Sequence, residues 1–410
     1  MKKNLVALAV AAAFVVPGVA FAAGSSTDNA NTGPVVFGYA QITGAQQFGT
    51  GPGSSNGLIF GGNRIRLGFK GEAVPGVTYY VEGAYDNVGL GAIGLNNGLG
   101  GNILGSNGQA QLIDAWINYA PVPFAQLQVG KFKTPEGLEY NNVAGNELPF
   151  IYRNMGQSLL PGRSVGAMFH ANNVMGTGVG YAVGIFDNTS LDAGTAFSTA
   201  NFSTANTFGS GQSGLMNGNG KYIVSGMLSY TMSTLLTAEV SGSMGTVSTF
   251  AGTDNLDSWN VGMHGGLMGI SYGAGYTQTN GGLNNGYLDS YNETTGTSTV
   301  NANDWHAELA ANLYKMTLLP LDIEPAVRFD QYHVSDVNGF ANGAGTLQNT
   351  TIGVNYFVNP NNPHAAEIQL NYIIPTNRVG AFDYGYGTNG KAPMNGAAYN
   401  TLMLQFQAGF

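Results

Sequence analysis

Tyr399-Asn-Thr-Leu-Met-Leu-Gln-Phe-Gln-Ala-Gly-Phe410 is the stretch on which the fold turns. Leu402, Leu404, Phe406, Ala408 and Phe410 share one face, and Thr401, Met403, Gln405, Gln407 and Gly409 share the other. Side chains of a strand point alternately to its two faces, so this period of two reads as a strand with one apolar and one polar side. The pattern recurs upstream. Ile65, Leu67 and Phe69 alternate with Arg64, Arg66, Gly68 and Lys70. Val77, Tyr79, Val81 and Tyr85 alternate with Thr78, Tyr80, Glu82 and Asp86. Ile113, Ala115, Ile117 and Tyr119 alternate with Asp114, Trp116 and Asn118, and Ala366, Ile368, Leu370, Tyr372 and Ile374 with Glu367, Gln369, Asn371 and Ile373.

Extended along the chain, the pattern predicts sixteen strands. They lie near 34–48, 58–71, 77–87, 109–120, 124–133, 163–173, 178–188, 221–232, 235–246, 257–264, 268–279, 302–314, 321–333, 348–358, 363–375 and 399–410. Most reach the roughly 9–11 residues a tilted strand needs to cross a bilayer. Connections after even-numbered strands are short, as at Glu72 to Gly76, Pro121 to Pro123 and Ser233-Thr234. Most of those after odd-numbered strands are long: 88–108, 134–162, 189–220, 280–301 and 376–398, with 49–57 and 247–256 the shortest of that set. Short turns at one end and long loops at the other mark a transmembrane antiparallel β-barrel. A soluble sandwich has no reason to sort its loops this way. The even count puts both termini on the short-turn side.

Composition agrees. Only 9% of residues are charged, against roughly 25% in an average soluble domain, while 43% are apolar. The outer face therefore does not meet water everywhere. The absence of cysteine excludes a disulfide framework, a Cys-ligated zinc site and thiol catalysis. A net charge of -9 argues against nucleic acid.

The first 22 residues read as a secretory signal peptide. Lys2 and Lys3 precede an apolar run from Leu5 to Val16, then Pro17-Gly18 and the small residues Ala20-Phe-Ala22. The run is 12 residues, short of the roughly 20 a spanning helix needs. Residues 23–410 then form one barrel domain. Tyrosines near strand ends, Tyr39, Tyr119, Tyr181, Tyr222, Tyr230, Tyr314, Tyr356 and Tyr399, are expected in interfacial girdles.

Chemical motifs are sparse. Gly89-Leu-Gly91-Ala-Ile-Gly94 spells a dinucleotide fingerprint, but Leu95-Asn-Asn-Gly-Leu-Gly-Gly-Asn102 cannot open the helix that would hold phosphate. The five histidines, His170, His264, His306, His333 and His364, show no metal-ligand spacing, and nothing in the sequence orients His170 and Ser164 as a catalytic pair. No catalytic residue, metal or cofactor is expected. Thr134 to Gly162 differs from the bland loops. It carries Glu136, Glu139, Glu147 and Arg153 beside Pro135, Leu148, Pro149, Phe150 and Ile151. Such a loop is expected to fold inward and narrow the aqueous channel of a sixteen-stranded barrel. The alternative is an outward loop against a neighbouring subunit.

Several segments carry a resemblance. Val129-Gly-Lys-Phe-Lys-Thr-Pro-Glu-Gly-Leu-Glu139 is similar to the strand-to-third-loop segment of the phosphate-selective porin O/P family. Tyr152-Arg-Asn154 and Leu160-Pro-Gly-Arg-Ser-Val-Gly166 resemble its loop return. Tyr181-Ala-Val-Gly-Ile-Phe-Asp-Asn188 and Thr351-Ile-Gly-Val-Asn-Tyr-Phe-Val-Asn-Pro360 resemble later strands, and a strand ending on Phe410 resembles the signal that outer-membrane barrels present to their assembly machinery. The resemblance implies a homotrimeric channel in the Gram-negative outer membrane, exported through the periplasm, for passive entry of small hydrophilic solutes and ions. Its other implied partner is outer-membrane lipid. Phosphate-selecting members are understood to use a row of Arg and a Lys cluster.

The chain beyond residue 22 has six Arg and six Lys. Parity places Arg64, Arg66, Lys70 and Arg328 on the lumen face, opposite Glu82, Asp86, Asp114, Glu239, Glu308, Asp322, Glu324, Asp330 and Glu367. Lys131 and Lys133 fall on the apolar face. Arg64, Arg66, Lys70, Glu136, Glu139, Glu147, Arg153, Arg163 and Arg328 are thus the expected pore and constriction residues. Their balance predicts a weakly selective pore, near neutral or cation-leaning. A barrel that only anchors adhesive or receptor loops is the competing function.

Overall fold

The computed structural model describes residues 34–49, 57–86, 111–187, 222–249, 252–280, 301–335, 345–380 and 395–410. The leader expected over residues 1–22, the glycine-rich fingerprint and the loops 88–108 and 189–220 lie outside the described residues. Sixteen strands follow in order: β1 (Val35–Phe48), β2 (Leu58–Val74), β3 (Val77–Ala84), β4 (Gln111–Val122), β5 (Ala125–Lys133), β6 (Arg163–Ala171), β7 (Val179–Asp187) and β8 (Tyr222–Met232), then β9 (Leu236–Thr249), β10 (Gly252–Leu267), β11 (Ile270–Asn280), β12 (Asn301–Ala311), β13 (Ile323–Val334), β14 (Gly345–Phe357), β15 (Ala366–Gly380) and β16 (Asn400–Gly409). Each pairs antiparallel with its chain neighbours, and β1 pairs with β16 to close the barrel. The seam is exact in register, Tyr39 opposite Gly409, and continues as Gly38 N–H to Phe410 C=O at 3.1 Å and the reverse bond at 2.9 Å.

The wall is polar inside and apolar outside. Gln41, Thr43, Asn118, Gln128, Ser225, Asn260, Asn349, Gln369 and Gln405 are buried, whereas Leu67, Phe69, Ile117, Phe169, Val183, Leu228, Val261, Ile352 and Phe406 are exposed. In water each exposed side chain would forgo about 1.5–3 kcal/mol of burial. A lipid bilayer is the solvent that matches such a surface. Trp259 and Tyr276 (centroids 5.0 Å apart) and Trp305 and Phe329 (4.9 Å) form an aromatic belt on β10–β13 toward the long-loop end. Tyr119, Tyr230 and Tyr314 are exposed at the short-turn end.

The structure corrects the sequence reading in several places, among them the end of β15, which runs to Gly380 into the stretch expected as loop 376–398. Much of the expected loop 247–256 is strand: β9 runs to Thr249, β10 starts at Gly252, and these two residues pair. Ser248, Thr249, Thr253, Asp254 and Asn255 fall on both parities there, so the ladder continues without a regular apolar alternation to reveal it. Tyr39 turns into the lumen beside Gly145, and Tyr399 is 3% exposed, so neither belongs to a girdle. Lys133 ends β5 beyond its last β4 pair, Ala115–Lys131, and its ammonium turns to the Tyr140 carbonyl at 2.5 Å rather than to the membrane.

Gly130 shows how tightly the wall is built. Its φ is 135°, a conformation L side chains rarely adopt, and a Cβ there would lie 2.2 Å from the Ala115 carbonyl oxygen. At Gly226 the nearest atom to a Cβ is 3.7 Å away. Gly130→Ala is therefore expected to cost several kcal/mol and deplete the folded, heat-modifiable band on electrophoresis, while Gly226→Ala should fold like the parent. Equal folded fractions through a urea titration would contradict the assignment.

Candidate functional site: the barrel lumen

Residues 134–162 join β5 to β6 and run through the lumen. Their stem is pinned by Thr134, whose N–H and hydroxyl both donate to the Gly162 carbonyl, at 2.8 and 3.0 Å. The loop then forms one short helix, α1 (Leu138–Asn142), and a 3-10 turn (Met155–Leu159).

The first contact is with β9 and β10. Gly137 N–H donates to Ser241 Oγ at 3.1 Å, Ser258 Oγ to Glu136 Oε2 at 2.8 Å, and Asn142 Nδ2 to Glu239 Oε2 at 3.2 Å. The chain next crosses to the opposite wall, where side-chain amides receive its carbonyls. Gln41 Nε2 donates to Gly145 (3.0 Å), Gln407 to Asn146 (2.9 Å), Gln369 to Leu148 (2.8 Å) and Asn355 to Pro149 (2.9 Å). Ile151 N–H donates to Asn371 Oδ1 at 2.8 Å. Arg328 completes the series with bonds to the carbonyls of Tyr152 (2.9 Å) and Arg153 (3.1 Å).

A segment with little regular structure leaves its backbone groups unpaired, and the lumen wall supplies the partners. Each such bond is worth on the order of 1 kcal/mol net, so the set holds the loop firmly. Apolar packing adds to it. Ile151 and Tyr152 are buried with Ala45, Ile373 and Met403, and Phe150 lies under the Arg328 guanidinium at 4.7 Å.

The expected charged residues gather here, but most are spent on neighbours. Arg66 pairs with Asp86 and lies 3.9 Å from Glu82, Arg163 pairs with Asp114 at 3.0 Å, and Arg328 with Asp330 at 2.8 Å. Arg64 donates to Gln41 Oε1 and to the Ile151 carbonyl. Arg153 donates to the carbonyls of Glu139 (2.7 Å) and Val143 (2.5 Å), and burial pushes its pKa down to about 10. Lys70 sits 5.9 Å from the Phe37 ring centroid.

Of the loop acids, Glu136 is fully buried and Glu139 binds the Asn154 amide N–H at 3.2 Å, while Glu147 is exposed. Burial raises the Glu136 carboxyl from 4.5 to about 7, partly opposed by hydroxyl donors from Ser243 and Ser258.

Sequence reasoning missed the amide ladder, although Gln41, Gln369, Asn371 and Gln407 all fall on one parity. It also missed Tyr140, whose ring has Lys133 Nζ at 4.7 Å and the Arg153 guanidinium at 5.7 Å. An apolar patch of Trp116, Phe132, Met168, Phe186, Ile223 and Met227 interrupts the polar wall on β4–β8. Among the described residues no group of three His, Asp or Glu is placed to hold a metal ion.

No protein-family model matches the chain, and no curated protein sequence matches it. Solved structures do. An anion-selective porin from Comamonas acidovorans superposes with a TM-score of 0.59 at 13% identity, over 92% of this chain and 99% of that one. OmpT of Vibrio cholerae, folded in vitro and in its trimer form, gives 0.58 at 8% identity over 92% and 99%. A BenF-like porin from Pseudomonas fluorescens Pf-5 gives 0.50 at 12% identity over 93% and 100%. At these identities the likeness is one of fold: this chain has the sixteen-stranded barrel architecture of outer-membrane porins.

Proposed function

We propose that the chain forms a passive diffusion pore in a Gram-negative outer membrane. It assembles as a homotrimer and admits small hydrophilic solutes and ions without covalent chemistry. The observation that carries this reading is the crossing of a polar lumen by one firmly tethered loop. A loop fixed at both walls sets a size limit, and fixed charges around it bias ion passage.

The same reading implies weak charge selectivity. Arg66, Arg163 and Arg328 are each paired with a carboxylate, and Arg64 and Arg153 are spent on carbonyls. Along β2 only Arg66 is paired with carboxylates; Arg64 keeps its charge but commits its N–H donors to Gln41 and the Ile151 carbonyl, and Lys70 sits by the Phe37 ring. Tight phosphate binding needs several free cations converging on one anion, which a row with Arg66 paired and the Arg64 donors committed to the loop does not offer. The reversal potential across a KCl gradient is expected near zero or cation-leaning, with no block by submillimolar phosphate. Strong anion preference with such a block would contradict it.

Loop docking should also depend on pH. A carboxyl whose pKa is raised in the docked state favours docking while protonated. That stabilisation is full below about 4.5 and is lost as pH rises through about 7. The span corresponds to on the order of 3 kcal/mol. Open-channel current noise from loop movement is expected to grow between pH 5 and pH 8 in the parent and to stay flat in Glu136→Gln. The same growth in both proteins would remove Glu136 as the cause.

A further inference from the structure

The lumen face of β10, β11 and β12 holds a recess under the loop, which meets its rim through Leu138 N–H to Asn260 Oδ1 and Asn154 Nδ2 to His306 Nε2, both at 3.4 Å. Strand register places Gly262, Gly275 and His306 in one row, and His264, Gly273 and Glu308 in the next row toward the short-turn end. The glycines leave the wall bare at its centre. A Cβ at Gly275 would meet the His306 ring at 2.6 Å, and one at Gly273 a Glu308 carboxylate oxygen at 2.9 Å, so both side chains lie over glycine. Helix α1 and the turn Met155–Leu159 roof the recess, which stays partly open. His306, only 9% exposed, closes its back.

Acceptors crowd this space, and donors that line it are committed: Arg153 to the carbonyls of Glu139 and Val143, and Asn260 to the Tyr276 carbonyl and Thr277 Oγ1. Glu139 commits Oε2 to Asn154, while its Oε1 is buried without a partner. Glu308 Oε2 and His264 Nε2 are likewise buried and unpartnered. Arg328 stands opposite Glu308 in the register, but its bonds go to Asp330 and to the carbonyls of Tyr152 and Arg153. Buried polar groups are rarely left unsatisfied, so two orphan carboxylate oxygens around one space suit an occupant that brings N–H donors, with His264 Nε2 a third partner that can donate or accept. Two carboxylates favour a positive occupant, and Leu138 and Ala274 offer apolar contact to its tail.

We propose that this recess is a binding subsite for small protonated primary amines, with the ammonium between Glu139 and Glu308 and the alkyl chain against Leu138. The subsite takes its access from the diffusion reading, but binding can be read without conduction. The probes are ethylammonium and tetramethylammonium, of which only the first carries N–H donors.

Saturation-transfer NMR on the detergent-solubilised full chain should show transfer to the ethylammonium methyl protons and little to tetramethylammonium. In planar bilayers ethylammonium should block, with a half-blocking concentration at least tenfold higher in Glu308→Gln. Equal transfer to both cations, as a water-filled space would give, overturns the proposal. So does transfer that persists unchanged in Glu308→Gln and Glu139→Gln. If Glu308→Gln does not fold, the loop variant Glu139→Gln decides. Transfer without ion conduction keeps the subsite and removes the diffusion reading, whereas conduction without transfer removes the subsite alone.

Discussion

Backbone N–H and C=O groups inside hydrocarbon have no water to bond, and every other feature of this chain follows from that constraint. A sheet meets it only by closing on itself, because an open edge would leave a row of unpaired groups. Sixteen antiparallel strands close here through the β1–β16 seam. Closure divides the residues of each strand between two solvents. Those facing lipid are mainly Leu, Val, Ile, Phe and Trp, and those facing the lumen mainly Gln, Asn, Ser, Thr and charged residues, apart from the apolar patch on β4–β8.

The polar inner face makes the loop possible. A stretch of 29 residues with one short helix could not sit in an apolar core, since its carbonyls would go unpaired. The amides of Gln41, Gln369, Asn355 and Gln407 take up those carbonyls, so the lumen wall acts as the missing partner strand. The same wall carries acids that bind the arginines. Charge is thereby spent on holding the loop in place, and less of it faces a passing solute.

The fold was largely legible because alternation of apolar and polar residues is imposed by the two solvents, strand by strand. It faded where polar residues fall on both parities, as at Ser248, Thr249, Thr253, Asp254 and Asn255, and there β9 and β10 run further than the pattern indicates. The functional site was legible in part. The composition of 134–162 marked it as unusual, and Arg64, Arg66, Arg153, Arg163 and Arg328 do collect around it. Their pairing was not legible, since Arg163 meets Asp114 across 49 positions of sequence and Arg328 meets loop carbonyls across about 175. Tyr39 was misplaced for a related reason: proximity to a strand end does not say which face a ring takes. The recess over Gly273 and Gly275 depends on the absence of side chains at two registered positions, which only the strand pairing reveals.

The central claim is that the loop, not the bare barrel, sets the pore. Its stem is closed by the bonds between Thr134 and Gly162, so residues 137–159 can be replaced by a short Gly-Ser linker without disturbing β5 or β6. Single-channel conductance in KCl is the most direct measurement. A several-fold rise over the parent, with the barrel still heat-modifiable, is the predicted result. An unchanged conductance in a folded barrel would contradict the account.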